Sequence, residues 1–456
     1  MNDVLLENGR VIDPANDFDE TASVWLSEGK VKAVGNDLQV PDSVERIDVA
    51  GKVVTPGLID LHVHFREPGQ TKKETIETGM GAAARGGFSS VVCMPNTTPT
   101  MDSPSTVALL DDRVQKVREN GHIHVYTTGC MTEGIAGEDL APIGSLFKAG
   151  VVAITDDGKC IQNNELMRRA CEYARMFDLP VMDHCQDYSL VTDGVMHEGY
   201  WSTVLGLHGW PAAGEDMIVA RNILLAEQTG THIHCQHVSS AKSVDLIREA
   251  KKRGVKISGE ACAHHFTLTD ASIAGSEVFW KDDGKQIYGD KHDAADLPEW
   301  PKYETRCKMN PPLRSAEDRE AVIAGVADGS LEILCSDHAP HCDFEKEVEF
   351  DQAPFGITGL ETELSLSLMQ LVHSGRMELS DMIHRYTVAP AKLCKLDAGT
   401  LSVGAPGDVT VIDMDKEWVF KREDTASKSF NSPFYDWPLK GKAIMTIADG
   451  KVIWQE

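Results

Sequence analysis

Eight short apolar segments, each ending in polar or ionisable residues, constrain this chain most: LIDLHVHF, SSVVCMPN, HIHVYTTG, VVAITDDG, PVMDHCQ, THIHCQHVSS, VKISGEACAHH and LEILCSDHAPH. Most are followed by a helical pattern with closing glycine or loop residues, as in KKETIETGMGAAARGG, NELMRRACEYARMF, EDMIVARNILLAEQTG and AKSVDLIREAKKRG. This alternation of buried strand and amphipathic helix is the rhythm of an α/β chain closing as a TIM (β/α)8 barrel. An open doubly wound sheet is the structural competitor. It finds little support, because no Gly-x-Gly-x-x-Gly turn follows the first strand and GMGAAARGG lies inside a helix pattern.

The chain has 456 residues, far more than the about 250 of a bare barrel. The excess has a location. Residues 1–55 hold short alternating segments joined at Asn8-Gly9, Glu28-Gly29 and Ala50-Gly51, which read as hairpins. The far end repeats this style in DVTVIDMDKEWVF and KAIMTIADGKVIWQE. Neither flank is large enough to bury a sheet alone, so residues 1–55 and 398–456 are expected to build one composite β-rich domain beside a barrel at 56–397. A further stretch, roughly 271 to 307, is rich in charge and turns and carries Trp280, Tyr288, Trp300 and Tyr303. It reads as an elaborated loop over one barrel face, with room for a hairpin.

Charge and cysteine usage narrow the function. Against 71 acidic residues stand 44 basic ones, a formal charge of -27 that opposes long-range attraction to nucleic acid or an anionic membrane. A small anionic substrate is still compatible, since a few cations can reverse the field inside a cleft. The first residues show no basic region followed by an apolar run, and no later stretch has the length of a membrane span. Eleven cysteines occur singly without a CxxC pair, which reads as a cytoplasmic chain with reduced thiols. Cys185, Cys235, Cys335 and Cys342 adjoin the polar strand ends and read as small buried hydrophobes.

The strand ends carry a ligand set. His62 and His64 lie two residues apart at the end of the first strand, so their side chains share a face. Asp157, His184, His237 and Asp337 close the fourth, fifth, sixth and eighth strands, which brings four imidazoles and two carboxylates to one barrel rim. Two Zn²⁺ ions sharing a carboxylate and a bridging water or hydroxide suit this mixture of donors. Asp156 competes with Asp157, but alternation places these neighbours on opposite faces. Of the other histidines, His122, His124, His208 and His384 read as structural or surface residues. His264 and His265 close the seventh strand and could stand behind the ligands. Locally, Arg66 could pair with Glu67 or Glu74, Asn96 could cap its loop, Asn310 could brace the turn before Pro311-Pro312, and Phe355 could be loop packing.

The motifs PGLIDLHVHFREPG at 56 to 69, MPNT at 94 to 97, TDDG at 155 to 158, KMNPPLR at 308 to 314, SDHAPH at 336 to 341 and APFGITGLETE at 353 to 363 are more specific. With them the chain resembles the bacterial type I dihydroorotases of the cyclic amidohydrolase superfamily along nearly its whole length. The resemblance implies a metal-dependent barrel beside a small β-rich domain. It also implies reversible cyclisation of N-carbamoyl-L-aspartate to L-dihydroorotate and water, in pyrimidine biosynthesis. By resemblance, His62, His64 and Asp337 serve a first zinc, His184 and His237 a second, and Asp157 the bridge, with Asp337 also transferring the proton. Arg66, Asn96 and His341 match substrate-carboxylate positions and His64 lies near the substrate. Asn310 and the Phe355-Gly356 backbone match contacts to its ring or amide groups. Two features depart from the pattern: the long insertion before Lys308, and the position one beyond Gly158, where Lys159 offers a carboxylated-lysine bridge in place of Asp157. Hydantoin, dihydropyrimidine or allantoin hydrolysis is the alternative activity, and a silent homologue acting as an assembly partner is the alternative role. A homodimer is the base-rate expectation for assembly.

Overall fold

The computed structural model describes residues 3–119, 121–288 and 297–456. The N-terminal alternating segments form β1 (Val4–Asp13), β2 (Phe18–Ser27), β3 (Lys30–Gly35), β4 (Glu45–Asp48) and β5 (Val53–Pro56). Next come β6 (Leu58–Val63), β7 (Phe88–Cys93) and β8 (His124–Thr127), which pair in parallel. After β9 (Val181–Asp183), two-residue strands β10 (Met196–His197) and β11 (Gly209–Trp210) pair with each other. Strands β12 (Ile233–Cys235), β13 (Ile257–Cys262) and β14 (Ile333–Cys335) join β9 in a second parallel sheet of order β14-β13-β12-β9.

The segment VVAITDDG supplies no regular strand. Ile154 instead makes single parallel bridges to Gly129 on one side and Val181 on the other, linking the two parallel sheets. The run stays short because Asp156 leaves the ladder: its Oδ1 accepts backbone N–H groups from Met131 at 2.8 Å and Thr132 at 3.0 Å. A further parallel bridge, Val63 to His338, connects β6 with the segment after β14. Leu58, Val91, Ile154, Val181, Ile233 and Leu334 are fully buried along these strands. Apolar side chains on both faces are what a parallel sheet covered by helices requires. The arrangement is that of a (β/α)8-type chain with a smaller β unit.

The smaller unit draws on both ends of the chain. Strands β15 (Val409–Val419), β16 (Pro438–Ala448) and β17 (Lys451–Gln455) continue the N-terminal sheet in the order β17-β16-β15-β5-β1-β2-β3, with β4 against β1. The join is β5: Val54 stands opposite Val411 in an antiparallel pair, while Val53 stands opposite Arg10 in a parallel one. Val11, Val24, Val54, Val411 and Ile447 bury one face of it.

Within the 271–307 stretch, the described residues form short helical turns joined by irregular segments and contain no hairpin. They hold a helix at Ser276–Lys281, a turn of helix at Lys285–Tyr288 and a 3-10 turn at Thr305–Cys307, and positions 289–296 lie outside the described residues. Its aromatic residues dock the stretch onto the C-terminal part of the chain. Trp437 is fully buried, with ring centroids 4.9 Å from Trp280 and 6.1 Å from Trp300. Both indoles of the stretch find backbone acceptors, Trp280 on Pro298 and Trp300 on Ser272, each at 2.8 Å. Trp280 and Trp300 thus pack with satisfied N–H groups, whereas the Trp437 Nε1 is buried without a partner among the described residues.

The glycine-rich GMGAAARGG lies on the helix Ile76–Gly86, capped by Thr75, whose Oγ1 accepts the Thr78 N–H at 3.2 Å. Its glycines serve close packing. A Cβ at Gly86 would collide with the backbone carbonyl of Leu360, and one at Gly79 would lie 2.5 Å from the Phe65 ring. Ten cysteines are buried and Cys342 is partly exposed, all as free thiols. Among the described residues, no helix is long and apolar enough to cross a membrane. Because Leu360 presents backbone and cannot swing aside, Gly86→Ala is expected to destabilise the fold by about 1–3 kcal/mol. Denaturant unfolding checks this, and an unchanged midpoint rejects the close-packing account.

Candidate metal centre

The cluster is built at the ends of the parallel strands. His62 lies within β6, and its backbone N–H donates to Asp60 Oδ1 at 2.9 Å. Asp60 Oδ2 accepts the Ser336 N–H at 3.1 Å, so one buried carboxylate registers β6 against the loop that carries Asp337. Burial pushes that carboxyl up to about 7. His64, His184, His237 and Asp337 all sit just beyond their strands. Three residues here take left-handed backbone: Arg66 at φ 60°, His237 at φ 33° and Asp337 at φ 45°. Non-glycine residues adopt such angles at a cost of order 1–3 kcal/mol and hold them only where their surroundings fix them.

The six predicted ligands converge. His62 Nε2 lies 3.4 Å from both Asp157 Oδ1 and Asp337 Oδ1, and His64 Nε2 lies 3.1 Å from Asp337 Oδ1 and 3.4 Å from Asp157 Oδ2. His184 Nδ1 is 3.6 Å from Asp157 Oδ1 and 2.8 Å from His237 Nε2, while His237 Nε2 is 3.8 Å from Asp157 Oδ1. All six side chains are buried. Two overlapping triads, His62/Asp157/His237 and His62/His64/Asp337, each bring three donor atoms within 4.8 Å of one another. Lys159, the alternative bridge, is exposed, whereas Asp157 is 3% exposed. Asp156 is spent on the Met131–Thr132 turn.

The donor chemistry fits cations. His62 Nε2 and Asp157 Oδ1 are buried without a hydrogen-bond partner, a costly state unless a further group satisfies them. Burial alone would lower the His62 imidazole, but Asp337, Asp157 and Glu260 raise it well above its ordinary value. Burial would raise the Asp157 carboxyl, yet His62, His184 and His237 hold it well below its ordinary range. The carboxylates thus favour positive charge at His62, and a metal ion, which needs neutral imidazoles, would supply that charge in place of a proton.

The expected substrate-side residues gather around the same cluster. Asn96 Oδ1 lies 2.9 Å from His64 Nδ1, and its Nδ2 donates to Asp157 Oδ2 at 3.3 Å. Arg66 pairs with neither Glu67, which accepts the Ile76 N–H at 2.9 Å, nor Glu74, which lies 3.3 Å from His338 Nε2. Its Nε donates to Pro340 O at 3.2 Å and its Nη2 lies 3.5 Å from His341 Nε2. Enclosure by protein lowers the Arg66 guanidinium to about 10, against the pull of Asp337 and Asp157. Burial, then Arg66, Lys346 and Lys73, hold the His341 ring neutral, well below its ordinary value. Asn310 Nδ2 donates to Gln186 Oε1 at 3.3 Å, and its Oδ1 is buried without a partner. Phe355 stands edge-on to Trp210 with centroids 5.8 Å apart. Gly356 takes φ 115°, and a Cβ there would lie 2.7 Å from the Ala339 Cβ.

A sequence model described as Dihydro-orotase-like matches residues 51–243. A dihydroorotase of Citrifermentans bemidjiense is 46% identical over 452 residues, covering 99% of each chain. The chain belongs to the dihydroorotase family of cyclic amidohydrolases. A second relative in this family, a dihydroorotase of Acetivibrio thermocellus, is 42% identical over 453 residues and 99% of both chains. Among solved structures, an L-hydantoinase from Arthrobacter aurescens superposes with a TM-score of 0.84 at 22% identity, over 100% of this chain and 96% of that one. A dihydropyrimidinase from Brevibacillus agri gives 0.80 at 20% identity, over 99% and 95%. These two show the shared amidohydrolase fold. With family membership, the His/Asp cluster is a binuclear metal-binding site, and the general chemistry is that of a cyclic amidohydrolase.

Sequence reading missed several residues that hold this family's cluster in place. Glu260, inside the apolar β13, sets Oε1 2.6 Å from His62 Nδ1 and 3.2 Å from the donating His237 N–H, with Oε2 3.0 Å from His234 Nε2. An acid in the middle of a fully buried strand was the available signal. Gln186 Oε1 lies 2.9 Å from His184 Nε2. Asn431, from the C-terminal part of the chain, donates to Ala339 O and Gly356 O and accepts the His341 N–H at 3.1 Å. Such partners fix ring orientation and ligand basicity. Glu260→Gln is therefore expected to weaken metal affinity about 10–100-fold. Competition with a chelator measures it, and an unchanged affinity would reject the orienting role.

Proposed function

We propose that the chain is a dihydroorotase. It reversibly cyclises N-carbamoyl-L-aspartate to L-dihydroorotate and water, on two Zn²⁺ ions held by His62, His64, Asp157, His184, His237 and Asp337. The observation that carries this reading is the pairing of a complete His/Asp cluster with Arg66 beside it, a cation bonded to no carboxylate among the described residues. The barrel occupies 56–397 as a closed circuit of eight parallel segments, and 1–55 with 398–456 make the composite domain. The bridges at Ile154 and Val63 support closure.

When bound, the two dications supply Lewis acidity and bring the pKa of a water toward neutrality. The chain's own residues supply the rest. Arg66 presents a planar fork to the substrate carboxylate that takes no part in the reaction. Asn96 adds an uncharged amide donor, and the neutral His341 ring lends a further contact without competing for charge. In ring opening, the Asp337 carboxylate takes the proton of the attacking water and returns it to the ring nitrogen as the C–N bond breaks. In ring closure the same carboxylate removes the proton from the carbamoyl nitrogen and delivers it to the departing oxygen, which takes a second proton from solvent to become water. Asn310 and the Phe355-Gly356 backbone orient the ring amides, while the buried surroundings keep bulk water from the reacting atoms.

The test incubates metal-replete protein separately with dihydroorotate, carbamoyl aspartate, hydantoin, dihydrouracil and allantoin. Turnover of the two acidic compounds is expected, and activity confined to the neutral ones would overturn the assignment. Asp337→Asn is expected to lower kcat by about 10²–10⁴-fold, and near-parental turnover would reject proton transfer through this group. Arg66→Ala is expected to lower kcat/KM for the acidic substrates by about 10²-fold, the worth of a charge-assisted pair. Unchanged efficiency would reject the clamp.

A further inference from the structure

Outside the binuclear cluster, the end of β13 carries a second group of donors that shares none of its residues. Cys262, His264 and His265 are buried, with 0%, 3% and 4% exposure. One donor atom from each lies within 4.8 Å of the others. The turn that gathers them is closed by the His265 N–H donating to Cys262 O at 2.9 Å, and the two imidazole centroids are 4.2 Å apart.

Two ring nitrogens here lack partners among the described residues. His264 Nε2 and His265 Nδ1 are both buried without a hydrogen bond. The second is also chemically defined. His265 Nε2 lies 2.9 Å from Pro311 O, and a carbonyl oxygen only accepts, so Nε2 carries the hydrogen. In the neutral ring, Nδ1 is then a bare lone pair. The Cys262 thiol, whose own contact is the Cys335 thiol at 3.5 Å, and the two histidines with their open ring nitrogens form a donor set with no hydrogen bond between its side chains.

We propose that Cys262, His264 and His265 form a separate metal site that takes one soft monovalent cation, copper(I), as a three-coordinate thiolate and bis-imidazole complex. Softness selects the ion, since thiolate and imidazole donors favour copper(I) over the hard cations that prefer carboxylate and water. Three protein donors with water in a fourth position would also suit zinc, and the burial of all three donors favours the ion that needs no fourth ligand. Metal–ligand bonds of about 2.0–2.3 Å put trigonal donors about 3.5–4 Å apart, inside the observed envelope. On binding, the Cys262 S–H bond breaks, its proton leaves to buffer, and an S–Cu bond forms with no change of oxidation state. His265 keeps its bond to Pro311 O throughout, so the ion would tie β13 to the loop that carries Asn310.

The test loads the parent chain, Cys262→Ser and His264→Asn with two equivalents of divalent metal. Each is then titrated anaerobically with copper(I) from a competing chelator. Metal analysis follows both ions, and X-ray absorption reads the copper neighbours. The parent is expected to retain one copper per chain with one sulfur and two nitrogen neighbours and without loss of the divalent ions. Each variant is expected to lose copper affinity by at least about 10²-fold, as removal of one ligand in three requires, while keeping its divalent ions and turnover. Should one variant fail to fold, the other carries the comparison. A parent that retains no copper would show that the lone pairs serve a buried water only, and would overturn the proposal. So would copper that enters only as divalent metal leaves, or copper held equally by folded variants.

Discussion

A single buried carboxylate, Glu260, carries much of the centre. It reaches the His62 ring, the backbone of His237 and the His234 ring, and it does so from the middle of a strand with no exposed surface. Isolated, such a charge would be prohibitive to bury. Here the His62 and His234 imidazoles compensate it, and the His62 ring is held in the orientation that turns its Nε2 toward Asp157 and Asp337. Charge balance and ligand geometry are therefore one requirement.

The same economy recurs in the loops. Asp60 links β6 to the Ser336 turn, Asp156 holds Met131 and Thr132, and Asn431 clips the Ala339 and Gly356 carbonyls to the backbone of His341. Each polar group is satisfied by backbone from a distant part of the chain. The His237 N–H is held by Glu260 and the Ser336 N–H beside Asp337 by Asp60, contacts that help fix two of the residues in left-handed backbone. The loops are set by these clips, so the cleft is preorganised before any ligand arrives.

How much of this was legible in the sequence depended on distance along the chain. The spacing of His62 and His64 shows directly, because two residues along a strand share a face. The strand-end carboxylates follow from the strand rhythm. The partners of Glu260 and Asn431 do not show, since each acts on residues tens or hundreds of positions away; the buried acid marks Glu260 but not what it reaches, and Gln186, two residues from His184, carries no pattern that sets it apart from an ordinary loop residue. The fourth segment read as a strand from its apolar run, but Asp156 diverts the backbone after Ile154. The hairpin envisaged for the insertion gave way to helical turns whose tryptophans pack on Trp437, a partner more than 100 residues downstream. The local alternatives for Arg66 also failed for a non-local reason: Glu67 and Glu74 are engaged elsewhere.

The pairing of β5 with β15 carries a consequence for biogenesis. β5 is flanked on one edge by β1, its close neighbour in sequence, and on the other by a strand about 350 residues later. On a ribosome adding about 5–20 residues per second, that edge waits roughly 20–70 s for its partner. During the wait it presents unpaired N–H and C=O groups to any other nascent chain. The edge is short, at four residues, and ends in Pro56, two features that limit templating by a foreign strand. Synthesis order thus places a demand on this strand that the finished enzyme no longer reveals.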